Sequence, residues 1–401
     1  MKKKNIKIII PIIILIVLIS CFLFINKPNN SVKEKESIPI NEDPISLMMD
    51  NMTLDEKVAQ MLVIYYLNDT VDERLIKALE SHSFGGIVLS KENITTYDKT
   101  KKFVSDLQSH SKIPLIISID EEGGSVQRLK YLKDVKPTDI PYMYYLGKTN
   151  NKDLAYQVGK LTAEELRTIG VNVAYAPVID IYSNPHNKVI GKRSFSEKES
   201  IVSSMSISLA KGLEDNGVIA TYKHFPGHGD TKVDSHYDLP IINKTYDELK
   251  ELELKPFMNA INNDAKIIMT GHIALPNIIK NNTPASLSKE IITDILRKDM
   301  GYNGLVITDA LNMGALTDNY TYEEIYTKAI NAGVDLLLMP KNNEQAINYI
   351  KNNIREERID ESVKRILTFK YKYLKDYKML DKSFLGNEEH KNIISKIKVD
   401  N

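Results

Sequence analysis

The chain has 401 residues, equal numbers of basic and acidic side chains (53 each), 42% apolar residues and a single cysteine. Zero net charge, with lysines scattered among glutamates and aspartates, offers no electrostatic footprint for nucleic acid, and one thiol excludes a disulfide framework or a thiolate metal site. The length would suit roughly two or three average domains, yet α/β barrels exceed that average as single units.

In chain order, MKKKNIK is a positive leader before IIIPIIILIVLISCFLFI, an apolar run of about 18 residues. Residues 1–25 therefore read as a membrane-targeting segment in one of two forms. The run just reaches the length of a spanning helix whose N-terminus the positive flank would hold in the cytoplasm. Alternatively, Leu18-Ile19-Ser20-Cys21 resembles a bacterial lipobox with Cys21 as the lipidated residue, and the only cysteine falls there. Phe22 to Ile25 continues the apolar run, which is unusual after a lipobox. Both forms leave the bulk of the chain outside the cytoplasmic membrane and tethered to it. Residues 26–43, polar and proline-punctuated, read as a flexible spacer.

From Pro44 to about Leu380, short β-branched runs alternate with longer amphipathic stretches. The runs Met61–Tyr65, Gly86–Leu89, Leu115–Ile119, Val171–Ala176, Val218–Tyr222, Ile267–Thr270, Leu305–Thr308 and Leu336–Met339 predict eight strands. Each is continuously apolar, as parallel strands buried on both faces require. Asp153–Ile169, Glu197–Asn216 and Lys289–Met300 predict helices, the last with Ser288 as N-cap. Eight strand–helix units indicate an α/β fold of the single (β/α)8 TIM-type barrel kind, and residues 381–401 read as a charged tail.

A barrel carries its chemistry where strands end. Asp120 follows LIISI, with Glu122 and Arg128 beyond it. Asp180 follows VNVAYAPVI, and Arg193 lies in the next loop. Lys223 and His224 follow VIATY, His272 follows IIMTG, and Asp309 follows LVIT. Singly, such residues often only tie loops together; five successive strand ends with titratable groups form a stronger pattern.

The densest chemistry is KHFPGHGDTKVDSH, Lys223 to His236. Pro226, Gly227 and Gly229 exclude a packed helix or interior strand over this stretch. A metal site on His224, His228, Asp230, Asp234 and His236 is disfavoured, because Lys223 would set an ammonium beside the ion and the helical His pair of zinc hydrolases is missing. Asp234 and His236 stand at i, i+2, so in an extended loop they project to one side. The carboxylate could then fix the imidazole tautomer and raise its pKa for proton transfer. The same pair could equally just tie the loop down.

KHFPGHGDTKVDSHYDLP resembles the signature loop of the bacterial β-N-acetylglucosaminidases of glycoside hydrolase family 3. MTLDEKVAQMLV, SIDEEGGSVQRL, NVAYAPVIDI, VIGKRSFS, MTGHIALP, PASLSKEIITDILRKDMGYNGLVITDALNMGAL and AGVDLLLMP accompany it in the family's order. The resemblance implies that Asp309 is the nucleophile of a retaining reaction through a covalent glycosyl-enzyme. It implies that His236 is the general acid/base, assisted by Asp234. Asp120, Arg128, Arg193, Lys223 and His224 would bind the N-acetylglucosamine ring, and the cations would keep Asp309 ionised. No metal or cofactor is implied. The expected substrate is a cell-wall glycan or muropeptide with a non-reducing terminal N-acetylglucosamine, and the expected state a monomer on the membrane through its N-terminal anchor or lipid. A phosphorylase on the same scaffold and a non-catalytic sugar-binding lipoprotein are the alternatives.

Overall fold

In the computed structural model the described residues are 43–231, 235 and 238–399. The expected targeting segment and almost all of the expected spacer lie outside them. Among the described residues no helix is long and apolar enough to cross a membrane.

Eight strands form one parallel sheet: β1 Leu62–Tyr65, β2 Gly86–Leu89, β3 Ile116–Ile119, β4 Val173–Ala174, β5 Ile219–Phe225, β6 Ile267–Thr270, β7 Leu305–Thr308 and β8 Leu337–Leu338. Seven of the eight predicted runs contain their strands, and β5 extends past the predicted end at Tyr222 to Phe225. Neighbours in sequence are neighbours in space from β1 to β7, and β8 pairs with β1 through Leu62↔Leu337 and Val63↔Leu338. The remaining seam, β7 to β8, is held by the Ile307↔Leu336 bridge and by the Thr308 hydroxyl, which accepts the Leu338 N–H at 3.0 Å. The sheet is thus a nearly closed barrel. Its strands are buried on both faces because helices cover the outside, which is why they show no polar alternation.

Helix α1 (Leu54–Gln60) starts on a capping box of Thr53 and Glu56. Helices α2 (Lys152–Thr168) and α3 (Glu199–Asp215) pack against each other at backbone distance. A Cβ on Gly159 would lie 2.0 Å from the Leu209 carbonyl oxygen, and one on Gly212 would lie 2.1 Å from that of Tyr156. These glycines cost about 1 kcal/mol of helix propensity each and allow the close approach. The predicted helix after Ser288 is a π-helix, Glu290–Asp299, and the Ser288 hydroxyl accepts the Ile291 N–H at 3.3 Å. Helix α4 (Glu356–Tyr373) closes the ring of helices against α1 and the leading helix Pro44–Asp50.

Two sequence readings need correction. The segment after Leu380 is docked rather than a free tail: helix α5 (Glu388–Ile394) packs on α2 and buries His390 and Ile393, while Ile397 beyond it is also buried. Its charges face outward and its few apolar residues inward, a pattern too short to register as an element. Secondly, Lys223, His224 and Phe225 belong to β5 and are buried. The strand continues until Pro226, whose missing N–H ends it.

Candidate active site

The C-terminal ends of β3 to β7 converge, bringing Asp120, Lys223, His224 and Asp309 to one end of the barrel. Buried Lys223 places its ammonium 2.7 Å from Asp120 Oδ1 and 2.6 Å from Glu122 Oε1. Arg193 grips Glu122 with two bonds, Nε to Oε2 at 2.7 Å and Nη2 to Oε1 at 2.8 Å. Burial alone would raise the Glu122 carboxyl, but Arg193 and Lys223 hold it well below the usual carboxylate range. Burial likewise disfavours charge on Lys223, and Asp120 and Glu122 more than offset it, so the ammonium is kept. Asp120 keeps about a third of its side chain exposed, free to accept from a ligand hydroxyl.

His224 Nδ1 lies 2.7 Å from Asp180 Oδ2, which fixes the ring's orientation. Asp180 also accepts the backbone N–H of His224 and, at 2.6 Å, of His228. One buried carboxylate thereby ties β5 to the start of the loop after it. Gly229 packs so tightly that a Cβ would sit 1.6 Å from the Ile181 carbonyl oxygen. Asn187 Nδ2 donates to the carbonyls of His228 (2.8 Å) and Gly229 (3.2 Å). The first half of the glycine loop is therefore packed structure, not a mobile flap. His228, a metal candidate by sequence, is enclosed: Nδ1 meets Thr231 Oγ1 at 2.7 Å and burial pushes its pKa down to about 4, leaving it neutral.

Asp309 follows β7 directly. Its backbone N–H donates to the Thr270 carbonyl at 2.9 Å, and its Oδ1 accepts the Ala310 N–H at 2.8 Å. Burial raises its pKa, yet His224, His272, the Ala310 N–H and Lys223 together bring it below the ordinary value. His272 is itself locked between Ser286 (Nδ1, 2.7 Å) and the Ala310 carbonyl (Nε2, 3.1 Å). The result is an ionised, largely buried carboxylate with its neighbours fixed in advance, which is what a nucleophile or an electrostatic stabiliser requires.

Not every predicted residue is brought into this cluster. The described bond of Arg128 is its backbone N–H to Glu121 Oε2, at 2.7 Å. Asp234 and His236 lie outside the described residues. Ser235 between them is placed: its carbonyl accepts the Ala315 N–H at 3.2 Å, just beyond Asp309 in the chain. Sequence reasoning noted Glu122, Asp180 and His272 at strand ends without giving them roles. The missing signal was pairing: Glu122 is 71 residues from Arg193, and Asp180 is 44 from His224.

Comparison with known proteins identifies the family. Residues 53–369 match the glycosyl hydrolase family 3 N-terminal domain. Beta-hexosaminidase A of Pseudoalteromonas piscicida is 33% identical over 359 residues, covering 81% of this chain; the chain spans only 60% of that relative's length. The structure is similar to that of a family 3 beta-N-acetylglucosaminidase from Paenibacillus (TM-score 0.79, 33% identity, 86% of this chain and 68% of that one). It also resembles the beta-glucoside phosphorylase BglX bound to 2FGlc (TM-score 0.81, 26% identity, 90% of this chain and 68% of that one). By sequence and by fold, the chain belongs to glycosyl hydrolase family 3.

Proposed function

We propose that the protein is a retaining exo-β-N-acetylglucosaminidase. The observation that carries this reading is Asp309, a carboxylate kept ionised at a strand end, beside Asp120, Lys223 and His224. In the proposed reaction Asp309 attacks the anomeric carbon as the glycosidic bond breaks, giving a glycosyl-aspartate. His236, oriented by Asp234, gives its proton to the leaving oxygen and then takes one from the attacking water. Asp120, Arg193 and Lys223 hold the sugar hydroxyls, with Arg128 joining them when substrate is bound. The names of the relatives support N-acetylglucosamine as the sugar. The N-terminal targeting segment supports a cell-wall fragment as the source.

The test is hydrolysis of an aryl β-N-acetylglucosaminide, with the aryl β-glucoside as control. Asp309→Asn should lower kcat by roughly 10⁴-fold or more while the protein still melts cooperatively. Substantial residual turnover would refute the assignment of the nucleophile. His236→Ala should impair a muropeptide more than an activated aryl substrate, whose leaving group needs little protonation. The likeness to a phosphorylase supports one further arm, turnover in phosphate buffer. A sugar 1-phosphate as the main product would replace hydrolysis with phosphorolysis.

A further inference from the structure

The C-terminal segment after Leu380 connects to the ribbon that carries Glu122 through a series of buried hydrogen bonds. His390, 1% exposed, meets Glu165 Oε1 through Nδ1 at 3.1 Å and Glu164 Oε2 through Nε2 at 2.9 Å. Glu165 also accepts the Gly386 N–H at 2.9 Å, the Thr138 N–H at 3.1 Å and the Thr138 hydroxyl at 2.5 Å. It is itself 1% exposed, so one carboxylate in α2 binds both the C-terminal segment and the loop before that helix.

That loop leads straight to the site. The Thr138 carbonyl accepts Gln127 Nε2 at 2.7 Å, and Gln127 Oε1 accepts the Ile140 N–H at 3.2 Å. Gln127 pairs with Glu121 in the ribbon Glu121–Gly123/Val126–Gln127, which carries Glu122. At the ribbon's tip, Gly124 and Ser125 share a cleft of about 380 Å³ with Ile394 and Val399 of the C-terminal segment. The segment thus holds the ribbon at its base, through Glu165 and Thr138, and lines the cleft beside its tip.

We propose that residues 381–399 act as a strut for the substrate-binding ribbon, with Glu165 and His390 as positioning residues that hold Glu122, and through it Lys223 and Arg193, in binding geometry. Such a role concerns ground-state fit, because Asp309 sits on another strand. Loosening the strut should therefore weaken substrate binding far more than it slows the chemical step.

The experiment uses the full chain with His390→Ala, and His390→Gln as the variant that retains a donor for Glu165. The expected result for His390→Ala is a KM on the aryl β-N-acetylglucosaminide raised about tenfold with kcat within about twofold. Amide exchange over residues 121–142 should rise about tenfold or more while β7 is unchanged, with His390→Gln lying closer to wild type. Faster exchange confined to residues 381–399, with KM and the ribbon unaltered, would overturn the proposal and leave His390 as a local tie. The kinetic arm rests on the glycosidase reading and the exchange arm does not. A wild-type protein without that activity would sink the former alone. If His390→Ala does not fold, the Gln variant decides, since wild-type exchange over 121–142 with faster exchange at 381–399 again overturns the proposal.

Discussion

Glu122 carries more of the site than its place in the sequence suggested. Lys223 and Arg193, expected from the chain alone to reach for sugar oxygens, both spend bonds on this one carboxylate. With Asp120 the four groups sum to zero charge, so they can be buried together at tolerable cost and are aligned before any ligand arrives. Removing one member of such a set leaves a buried charge without compensation, typically at about 3–5 kcal/mol. Glu122→Gln is accordingly expected to destabilise the fold by about 3 kcal/mol in chemical denaturation. It should also raise KM at least about tenfold, as the two cations relax toward Asp120. Wild-type stability in that variant would show that the cations pair with Asp120 alone.

At the scale of elements, the ribbon after β3 holds two adjacent glutamates in opposite states. Glu122 meets two cations. Glu121 faces the other way, accepts the Arg128 and Leu129 N–H groups at 2.7 and 3.0 Å, and leaves Oε1 buried with no hydrogen-bond partner among the described residues. Burial pushes its pKa up to about 8, the two N–H groups opposing and Glu165 adding to the rise. Between the ordinary value of 4.5 and about 8 the folded state therefore holds a proton that the unfolded state has released. Stability contributed by this group falls as pH rises through that window. Glu121→Gln keeps the acceptor and cannot ionise. Its melting temperature should match wild type near pH 5 and exceed it near pH 9 by roughly 3 °C or more. Parallel pH profiles for the two proteins would contradict a protonated Glu121.

Across the whole molecule, chemistry and stability sit at opposite ends of the barrel, as the fold class leads one to expect. The strand ends that carry Asp120, Lys223 and Asp309 face one way. At the other end, Lys370 of α4 is fully buried, donating to Gln60 Oε1 at 2.8 Å and to the Phe84 carbonyl at 3.3 Å. Burial brings its pKa down to about 7 from 10.5. From about pH 7 to 10.5 the unfolded chain binds the extra proton, so stability from this site rises with pH, opposite in sign to Glu121. Lys370→Met should raise the melting temperature most at pH 6, by roughly 3 °C, and the gain should vanish by pH 10. A gain independent of pH would mean that Lys370 stays charged in its neutral cage of carbonyls.

Some of this was legible in the chain itself. Runs such as Gly86–Leu89, Ile267–Thr270 and Leu305–Thr308 announce their strands to the residue, because a strand covered on both faces must be apolar throughout. Strand order followed, and with it the end of the barrel where Asp120, Lys223, His224 and Asp309 would meet. The docking of α5 did not, since His390 finds its carboxylates 225 and 226 residues away. Nor did the extension of β5 through Lys223 or the pairing of Glu122 with Arg193. Local pattern records which face of an element meets apolar surroundings. Which charge meets which is set only when the strands curl into a barrel and bring distant ends within 3 Å.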